Sequence, residues 1–219
     1  MGDPTSFIRA QTKIARPGLV PELKLHLATE ISPIWRATQR ELDDLGLPPP
    51  YWAFCWPGGQ ALTRFLIDHP EWVRGKRVLD FAAGSGLSGI AAARAGAAFV
   101  TAAEIDDFAA EAIRLNADLN RARVTVVTED LVGRMDLGLD LVLAGDVCYE
   151  RPMAERVFAW FEQLAEAGVT ILMGDPGRAY LPRKGLTEVA RYQVPTSIDL
   201  EDKDMRLTIV WRIAKGVAA

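Results

Sequence analysis

The sequence has few of the side chains that disulfide frameworks and metal sites require. It contains two cysteines, Cys55 and Cys148, which lie far apart and form no C-x-x-C pair, and two histidines, His26 and His69. These numbers argue against a disulfide framework and against a thiolate zinc site. No apolar run approaches the roughly 20 residues of a membrane-spanning helix. A net charge of −4 argues against a nucleic-acid-binding protein, which usually presents a basic surface.

The amino-terminal segment helps to predict the cellular compartment of the protein. Residues 1–18, MGDPTSFIRAQTKIARPG, contain no apolar core of the kind that a secretory signal has. Together with two cysteines that form no evident pair, this favours a reducing compartment, and we expect a cytoplasmic protein. We also expect a monomer that binds neither nucleic acid nor a membrane.

The order of the predicted elements indicates an α/β fold. Residues 1–50 are interpreted as an N-terminal extension that packs on the core, and residues 51–219 as the main domain. In the extension, the alternating run LKLHL (23–27) is typical of a half-buried strand, and residues 45–60 break regular structure with prolines and a Pro-Gly-Gly. The main domain has predicted strands at 78–81, 98–103, 124–127, 140–144, 169–173, 187–194 and 206–213, and predicted helices at 60–70, 87–95, 107–120 and 152–166.

Strands that alternate with single helices form right-handed β-α-β units and therefore a parallel sheet. The last two strands are joined by the acidic turn DLEDKD (199–204), and we expect them to form an antiparallel hairpin. The turn is interpreted as solvated, with a charge that could steer a basic segment of a partner. The prediction is thus a doubly wound, mostly parallel, seven-stranded sheet with an N-terminal extension and a C-terminal antiparallel hairpin.

A glycine-rich loop follows the first strand of the main domain. The residues GSGLSG (84–89) match G-x-G-x-x-G, and such a loop lets a ligand approach the backbone at a helix N-terminus. In dinucleotide-binding proteins the first glycine comes almost directly after the strand, whereas here three residues separate Asp80 from Gly84. A carboxylate at this place would repel a pyrophosphate. It suits a ligand that carries an ammonium or a sulfonium group.

Acidic residues also follow the next two strands. Glu104 is placed to accept hydrogen bonds from the hydroxyls of a ribose. Asp130 could accept a hydrogen bond from an adenine amino group, and the backbone N–H of Leu131 could meet a ring nitrogen. Because parallel strands end at the same edge of a sheet, Asp80, Glu104 and Asp130 are spaced to follow one elongated nucleoside. The alternative for each is a solvated carboxylate at a strand end.

Several motifs resemble those of class I, seven-stranded S-adenosylmethionine-dependent methyltransferases, namely VLDFAAGSG, AAEID, TED and DLVLAGDVCY. Three blocks are similar to those of seven-β-strand protein lysine methyltransferases, in particular the family that modifies the β-subunit of electron transfer flavoprotein: YWAFCWPGGQAL (51–62), LAGDVCYE (143–150) and GDPGR (174–178). The resemblance covers residues 20–213. It implies a Rossmann-like methyltransferase fold and S-adenosylmethionine as cofactor, with S-adenosylhomocysteine as product. It also implies a lysine ε-amine as acceptor and the flavoprotein β-subunit as partner.

The resemblance also implies which residues bind the cofactor. The aspartate and the first two glycines of the loop would cradle its methionine part. Trp56 would cover the sulfonium as a cation–π and hydrophobic wall, and Gln60 would donate to a carboxylate. The nearby aromatic residues Tyr51, Trp52 and Phe54 are interpreted as a packed hinge between the extension and the core. The full predicted set is Trp56, Gln60, Asp80, Gly84, Gly86, Glu104, Ile105, Asp130 and Leu131.

The residues after the fourth strand are candidates for the reaction itself. We expect Asp146 to hold the substrate amine, through its carboxylate or through neighbouring backbone carbonyls. Tyr149 would line a narrow channel as a wall or as a hydrogen-bond partner. The alternative for Asp146 is a helix N-cap, because Pro152 suits the first turn of the next helix. Cys148 is interpreted as a small packed side chain, since neither histidine is expected near it.

The loop after the fifth strand contains two further candidates. We expect Asp175 and Arg178 to face the substrate, with Arg178 pairing with an acidic residue near the target lysine. The alternative is a turn with an exposed arginine. Two other functions stay open at this point. One is a methyltransferase that acts on a ribosomal protein or on a small amine, and the other is a non-enzymatic module that binds partners through the cofactor fold.

Overall fold

The computed structural model describes residues 3–29, 32, 34, 48–197 and 201–214. Its strands are β1 (Lys13–Ala15), β2 (Leu25–Leu27), β3 (Arg77–Phe81), β4 (Phe99–Ala103), β5 (Thr125–Val127), β6 (Leu141–Gly145), β7 (Thr170–Asp175), β8 (Leu186–Pro195) and β9 (Met205–Ile213). Its α-helices are α1 (Pro4–Gln11), α2 (Pro57–Asp68), α3 (Leu87–Arg94), α4 (Asp107–Leu119) and α5 (Arg151–Glu166). In the part of the chain that the structure describes, no helix combines the length and the apolarity that crossing a membrane requires.

Strands β3 to β9 form one sheet in the order β5-β4-β3-β6-β7-β9-β8. Strand β3 pairs in parallel with both β4 and β6, so the direction in which strands are added reverses between β3 and β6. Strand β9 pairs antiparallel with both β7 and β8, which places the C-terminal hairpin at one edge. The predicted doubly wound, mostly parallel sheet with an antiparallel hairpin is confirmed. In such sheets, ligands bind beyond the carboxyl ends of the strands at the point of reversal.

Helices cover both faces of the sheet because successive side chains of a strand point to opposite faces. Leu79 of β3 and its counterparts in β6 and β7 pack against α5, where Phe161 is fully buried. Val78 and its counterparts pack on the other face against α2, which contributes Leu62 and Phe65. Strands that are buried on both faces have continuous apolar sequences rather than alternating ones.

The N-terminal extension packs on α4. Strands β1 and β2 form an antiparallel pair, and the side-chain oxygen of Asn116 in α4 accepts a hydrogen bond from the N–H of His26 at 2.7 Å. Ile8 of α1 and Trp52 lie in one buried cluster with residues of α4. The strand expected in the extension is present in a shorter form as β2. The domain boundary at residue 50 stays a prediction, and residues 35–47 before it lie outside the described residues.

Two local expectations differ from the structure. The Pro-Gly-Gly at 57–59 does not interrupt regular structure but begins α2, because proline is tolerated in the first helical turn, where its missing N–H has no intrahelical partner to lose. The acidic turn is not solvated throughout, because Glu201 is only 3% exposed while residues 202–204 are exposed. Residues 199 and 200 of that turn lie outside the described residues.

Candidate active site

A cleft opens beyond the carboxyl ends of β3 and β6, where the strand order reverses. Asp80, the glycine loop and the start of α3 form one wall, and Gly145 and Asp146 at the end of β6 form another. The segment before α2 contributes the outer wall with Phe54 and Trp56. Residues predicted separately for the cofactor and for the reaction therefore line the same cleft.

Glycine is favoured at three positions of the loop for two different reasons. Gly84 and Gly86 have φ angles of +53° and +76°, in the left-handed region that glycine adopts without strain. A Cβ on Gly86 would also lie 2.9 Å from the side chain of Ile113 in α4. The N–H of Gly89 donates to Asp80 Oδ2 at 2.7 Å, and a Cβ on Gly89 would lie 2.9 Å from that oxygen. Gly89, to which the sequence analysis assigned no role, thus lets α3 approach Asp80.

Asp80 is a buried carboxylate near the end of β3. It is 3% exposed, and none of the described arginine, lysine or histidine side chains pairs with it. The pKa of Asp80 is raised to about 7, mainly by burial and also by the nearby charge of Glu104, while the hydrogen bond from the N–H of Gly89 opposes the shift. A positive charge in the cleft would oppose both effects, because it favours the ionised form. The environment of Asp80 therefore suits a cationic ligand group.

Glu104 lies beside the glycine loop. Its carboxylate accepts hydrogen bonds from the N–H of Gly84 at 3.0 Å and from the N–H of Asp106 at 3.2 Å. Partial burial raises the pKa of Glu104, although these hydrogen bonds oppose the shift. Each carboxylate oxygen keeps a free acceptor position, so the group is fixed in place and still able to bind hydroxyls.

The other predicted adenosine-binding residues are not gathered around the cleft. Asp130 pairs with Arg156 of α5 and accepts a hydrogen bond from the N–H of Val132 at 3.0 Å. The hydrogen bond from Arg156 lowers the pKa of Asp130. Leu131 is buried, whereas Ile105 is 72% exposed. The roles of these residues in cofactor binding stay predictions.

Trp56 and Gln60 both have partners within the chain. Trp56 Nε1 donates to the backbone carbonyl of Tyr51 at 2.9 Å. The buried amide of Gln60 donates from Nε2 to the carbonyl of Cys55 at 2.8 Å and accepts from the N–H of Leu19 at 3.2 Å. Gln60 therefore fastens the segment before α2 to the extension, and its donation to a ligand carboxylate stays a prediction.

Asp146 is held from two sides at the end of β6. Its Oδ2 accepts a hydrogen bond from the N–H of Gly59 in α2 at 3.1 Å. Its Oδ1 accepts from Nε and Nη2 of Arg178 at 3.1 and 2.8 Å. Burial raises the pKa of Asp146 to about 6, against the lowering effect of Arg178. The alternative that Asp146 caps the next helix is wrong, because α5 begins at Arg151 and its N-cap is Glu150.

Glycines explain how α2 comes so close to Asp146. A Cβ on Gly58 would lie 2.5 Å from Asp146 Oδ2 and would overlap the carbonyl oxygen of Gly174 in β7. A Cβ on Gly145 in β6 would lie 2.8 Å from the Cα of Gly59. The first turn of α2 thus packs backbone to backbone on β6 and β7 and turns its free N–H groups, the positive end of the helix dipole, towards Asp146.

Arg178 joins two carboxylates and is not an exposed turn residue. Besides Asp146 it binds Glu201, donating from Nη2 to Oε1 at 2.6 Å and from Nη1 to Oε2 at 3.2 Å. Its guanidinium carbon lies 5.7 Å from the ring centroid of Trp56. Asp175 accepts a hydrogen bond from the N–H of Arg178 at 2.7 Å, while its Oδ2 is buried without a hydrogen-bond partner among the described residues. That Asp175 and Arg178 bind substrate stays a prediction.

The loop after β6 contains the last two residues considered for the site, Cys148 and Tyr149. Tyr149 is 45% exposed, and its ring lies 5.7 Å from that of Tyr51, between ring centroids. Burial raises the pKa of its phenol. Cys148 is fully buried, and burial, followed by the charges of Asp175 and Asp146, raises the pKa of its thiol to about 12. Within the described ranges, no group of three or more His, Cys, Asp or Glu side chains could hold a metal ion.

The chain is similar to known methyltransferases over most of its length. A family model described as Ribosomal protein L11 methyltransferase (PrmA) matches residues 64–174. The electron transfer flavoprotein beta subunit lysine methyltransferase of Danio rerio is 37% identical over 217 residues, covering 96% of this chain and 83% of that protein. The protein of the same name from Xenopus laevis is 39% identical over 214 residues, covering 95% and 86%. That from Homo sapiens is 35% identical over 215 residues, covering 94% and 80%.

Solved methyltransferase structures have a similar fold. Magnesium protoporphyrin IX methyltransferase (ChlM) from Synechocystis PCC 6803 with bound SAM has a TM-score of 0.53 at 19% identity, covering 71% of this chain and 77% of that one. The Pyrococcus abyssi tRNA (uracil-54, C5)-methyltransferase in complex with S-adenosyl-L-homocysteine has a TM-score of 0.52 at 17% identity, covering 71% and 38%. At these identities the likeness shows the fold alone, and it confirms the Rossmann-like methyltransferase fold that the motifs predict.

Proposed function

Since the chain belongs to the electron transfer flavoprotein beta subunit lysine methyltransferases, we propose that it transfers a methyl group from S-adenosylmethionine to a lysine ε-amine of such a beta subunit. The substrate is thus a protein, and the product of the cofactor is S-adenosylhomocysteine. One structural observation carries the proposal. Two buried carboxylates, Asp80 and Asp146, face one cleft, and among the described residues only Asp146 has a cationic partner.

The residues of the cleft fit S-adenosylmethionine. Its sulfonium and ammonium groups are positive and would offset the cost of ionising Asp80 in its buried position. Glu104 offers fixed carboxylate oxygens to hydroxyl groups beside the glycine loop. The cleft encloses about 50 Å³, whereas small-molecule sites commonly enclose ~300–1,000 Å³. The cleft therefore has to widen when a ligand of this size binds.

When bound, S-adenosylmethionine supplies a methyl group on a positively charged sulfur. A lysine amine attacks only in its neutral form, and its ordinary pKa is about 10.4. A nearby positive charge and partial desolvation both lower that pKa, so that the proton leaves to water. Asp146, fixed by Gly59 and Arg178, then accepts a hydrogen bond from the amine and aims its lone pair at the methyl carbon. The C–N bond would form as the C–S bond breaks, and the positive charge would pass from sulfur to nitrogen.

The proposal is tested by incubating the purified protein with radiolabelled S-adenosylmethionine and purified electron transfer flavoprotein, followed by gel electrophoresis. We expect one labelled band, at the beta subunit. Gly84→Arg should abolish the label, because the new side chain fills the cleft. Gly168→Arg is the matched control, since Gly168 also has a positive φ, +97°, but lies exposed after α5 with open space at its Cβ position.

Two outcomes would contradict the proposal at different levels. Label on another protein of a cell extract, such as a ribosomal protein, without label on the beta subunit would contradict the substrate but keep the chemistry. The absence of label on any protein would contradict the transfer itself. Calorimetry with S-adenosylmethionine would then separate a small-amine methyltransferase from a protein that binds no cofactor.

A further inference from the structure

Glu201 is a buried carboxylate to which the chemistry above gives no role. It lies between β8 and β9, and its side chain is 2% exposed. Arg178 and Arg206 both bind it, and Arg206 of β9 donates from Nε to Oε2 at 3.1 Å. A buried carboxylate is costly unless it is paired and hydrogen-bonded. Here the pairing extends directly to the candidate active site.

Arg178 connects Glu201 with Asp146. The guanidinium edge formed by Nε and Nη2 faces Asp146 Oδ1, and the edge formed by Nη1 and Nη2 faces the two oxygens of Glu201. A planar guanidinium that is bound on two edges cannot rotate without losing hydrogen bonds on one of them. The contact of its carbon with the Trp56 ring restricts it further. The position of Arg178 therefore depends on Glu201.

Asp146 has few other groups that fix its charge and position. The N–H of Gly59 binds Oδ2, and Arg178 is the cation that contacts Oδ1 among the described residues. The remaining titratable neighbours are Asp175, whose negative charge opposes ionisation of Asp146, and the buried thiol of Cys148. Any displacement of Arg178 is therefore transmitted to Asp146 without a second cation to compensate.

We propose that Glu201 is a positioning residue for methyl transfer, which acts through Arg178 to fix the Asp146 carboxylate that faces the amine. This inference rests on the proposed function, in which Asp146 orients the lysine amine. It gives the C-terminal hairpin a part in the active site, because the connection between β8 and β9 carries Glu201 and β9 carries Arg206.

The test compares Glu201→Gln with Glu188→Gln. Glu188 pairs with Arg191 at 2.6 Å within β8, and the Arg191 side chain is largely exposed, so the control removes the same charge from an ion pair of the same hairpin. For Glu201→Gln we expect kcat to fall about tenfold, as the loss of one charge-assisted contact would produce, with KM for both substrates changed less than about twofold. Glu188→Gln should keep the original kcat. Equal kcat values for the two variants would overturn the inference.

A double variant separates action through Arg178 from a general effect on folding. If Glu201 acts through Arg178, the pair Glu201→Gln and Arg178→Gln should lose no more activity than Arg178→Gln alone. Losses that multiply would overturn the inference. Should Glu201→Gln fail to fold, Glu201→Asp keeps the charge and shortens the reach, and the same comparison with Arg178→Gln applies.

A titration that needs no turnover distinguishes this inference from the proposed function. The Asp146 carboxyl can be followed by ¹³C NMR, with Asp146→Asn to assign its signal. If Glu201 holds Arg178 against Asp146, Glu201→Gln loosens that cation and the pKa of Asp146 should rise, whereas loss of the Glu201 charge alone would lower it. An unchanged or lowered pKa would overturn the role of Glu201. A raised pKa in a protein that methylates no beta subunit would contradict the proposed function alone.

Discussion

Replacing Gly58 with alanine should destabilise the protein far more than the same replacement of its neighbour Gly59. Both glycines lie in the first turn of α2. A Cβ on Gly58 would overlap the carbonyl oxygen of Gly174 and lie 2.5 Å from Asp146 Oδ2, whereas a Cβ on Gly59 would meet nothing within 4 Å. The two variants each add one methyl group, so their difference isolates the close contact of α2 with β6 and β7.

The magnitude follows from that geometry. To bring the new Cβ on Gly58 to an ordinary distance from Asp146, the first turn of α2 must withdraw by at least about 0.5 Å in a close-packed region. Overpacking of this kind costs about 1–3 kcal/mol, and weakening the bond from Gly59 to a buried carboxylate costs about 1.5 kcal/mol. We expect Gly58→Ala to lower the free energy of unfolding by about 3 kcal/mol and Tm by about 6–12 °C. Gly59→Ala should raise the free energy by about 0.5 kcal/mol, because alanine has less backbone freedom to lose.

Urea and thermal unfolding, followed by far-UV circular dichroism, measure both quantities. Equal urea slopes for the two variants would place the difference in the native state and not in the unfolded chain. A difference of less than about 1 kcal/mol between Gly58→Ala and Gly59→Ala would refute the reasoning, since α2 would then not rest on the backbone of β6 and β7.

Three further predictions concern single groups. Burial raises the pKa of Asp80 to about 7, and a cationic ligand binds the ionised form of this carboxylate. Calorimetry should therefore give a Kd for S-adenosylmethionine about tenfold lower near pH 7.0 than near pH 5.5. A Kd that does not change with pH would contradict this prediction. Asn116→Leu should cost about 2–4 kcal/mol in urea unfolding, because it leaves the N–H of His26 and the carbonyl of Ser85 without partners. The buried Cys148 thiol, with its pKa raised to about 12, should resist iodoacetamide at about pH 8 until the protein is unfolded, as mass spectrometry would detect.

The central strands could be predicted from the sequence because burial on both faces leaves a simple pattern. Strands β3, β6 and β7 are short, mostly apolar runs bounded by charged residues or glycine. Single helices join β3 to β4, β4 to β5 and β6 to β7, which favours a parallel arrangement. The start of α2 could not be predicted, since Pro-Gly-Gly locally indicates a break. What makes those glycines necessary is the contact with Gly145 and Gly174, which lie more than 80 residues away in the chain.

The position of a residue at a strand end predicted that it lies near the site, but it did not predict the direction of its side chain. Asp80 lies near the end of β3 and Asp146 directly follows the adjacent strand β6, and the structure brings both to one cleft. Asp130 follows β5 by the same rule, yet its carboxylate pairs with Arg156, which belongs to a helix more than 20 residues later. Strand order determines where a residue lies, whereas the direction of its side chain depends on partners from other elements.

Glu201 illustrates the same limit for charge patterns. An acidic run between two strands is typical of a solvated turn, because most such carboxylates keep their hydration. Glu201 gives up that hydration because the folded hairpin brings Arg178 and Arg206 to it from two sides. Neither partner has a spacing from Glu201 that a helix or a strand pattern would single out.

The two carboxylates of the cleft differ in their surroundings and not in residue type. Burial raises the pKa of both, but Asp146 is paired with Arg178 and has a pKa of about 6, whereas Asp80 has no cationic partner among the described residues and a pKa of about 7. Near neutral pH a large share of Asp80 is therefore protonated until a positive group enters the cleft and favours its ionised form. Asp146 already has its counter-charge, and its Oδ2, which accepts a single hydrogen bond from Gly59, keeps an acceptor position for an uncharged donor such as an amine. In the proposed reaction, this difference in pairing would allow one cleft to hold a cationic cofactor and a neutral nucleophile side by side.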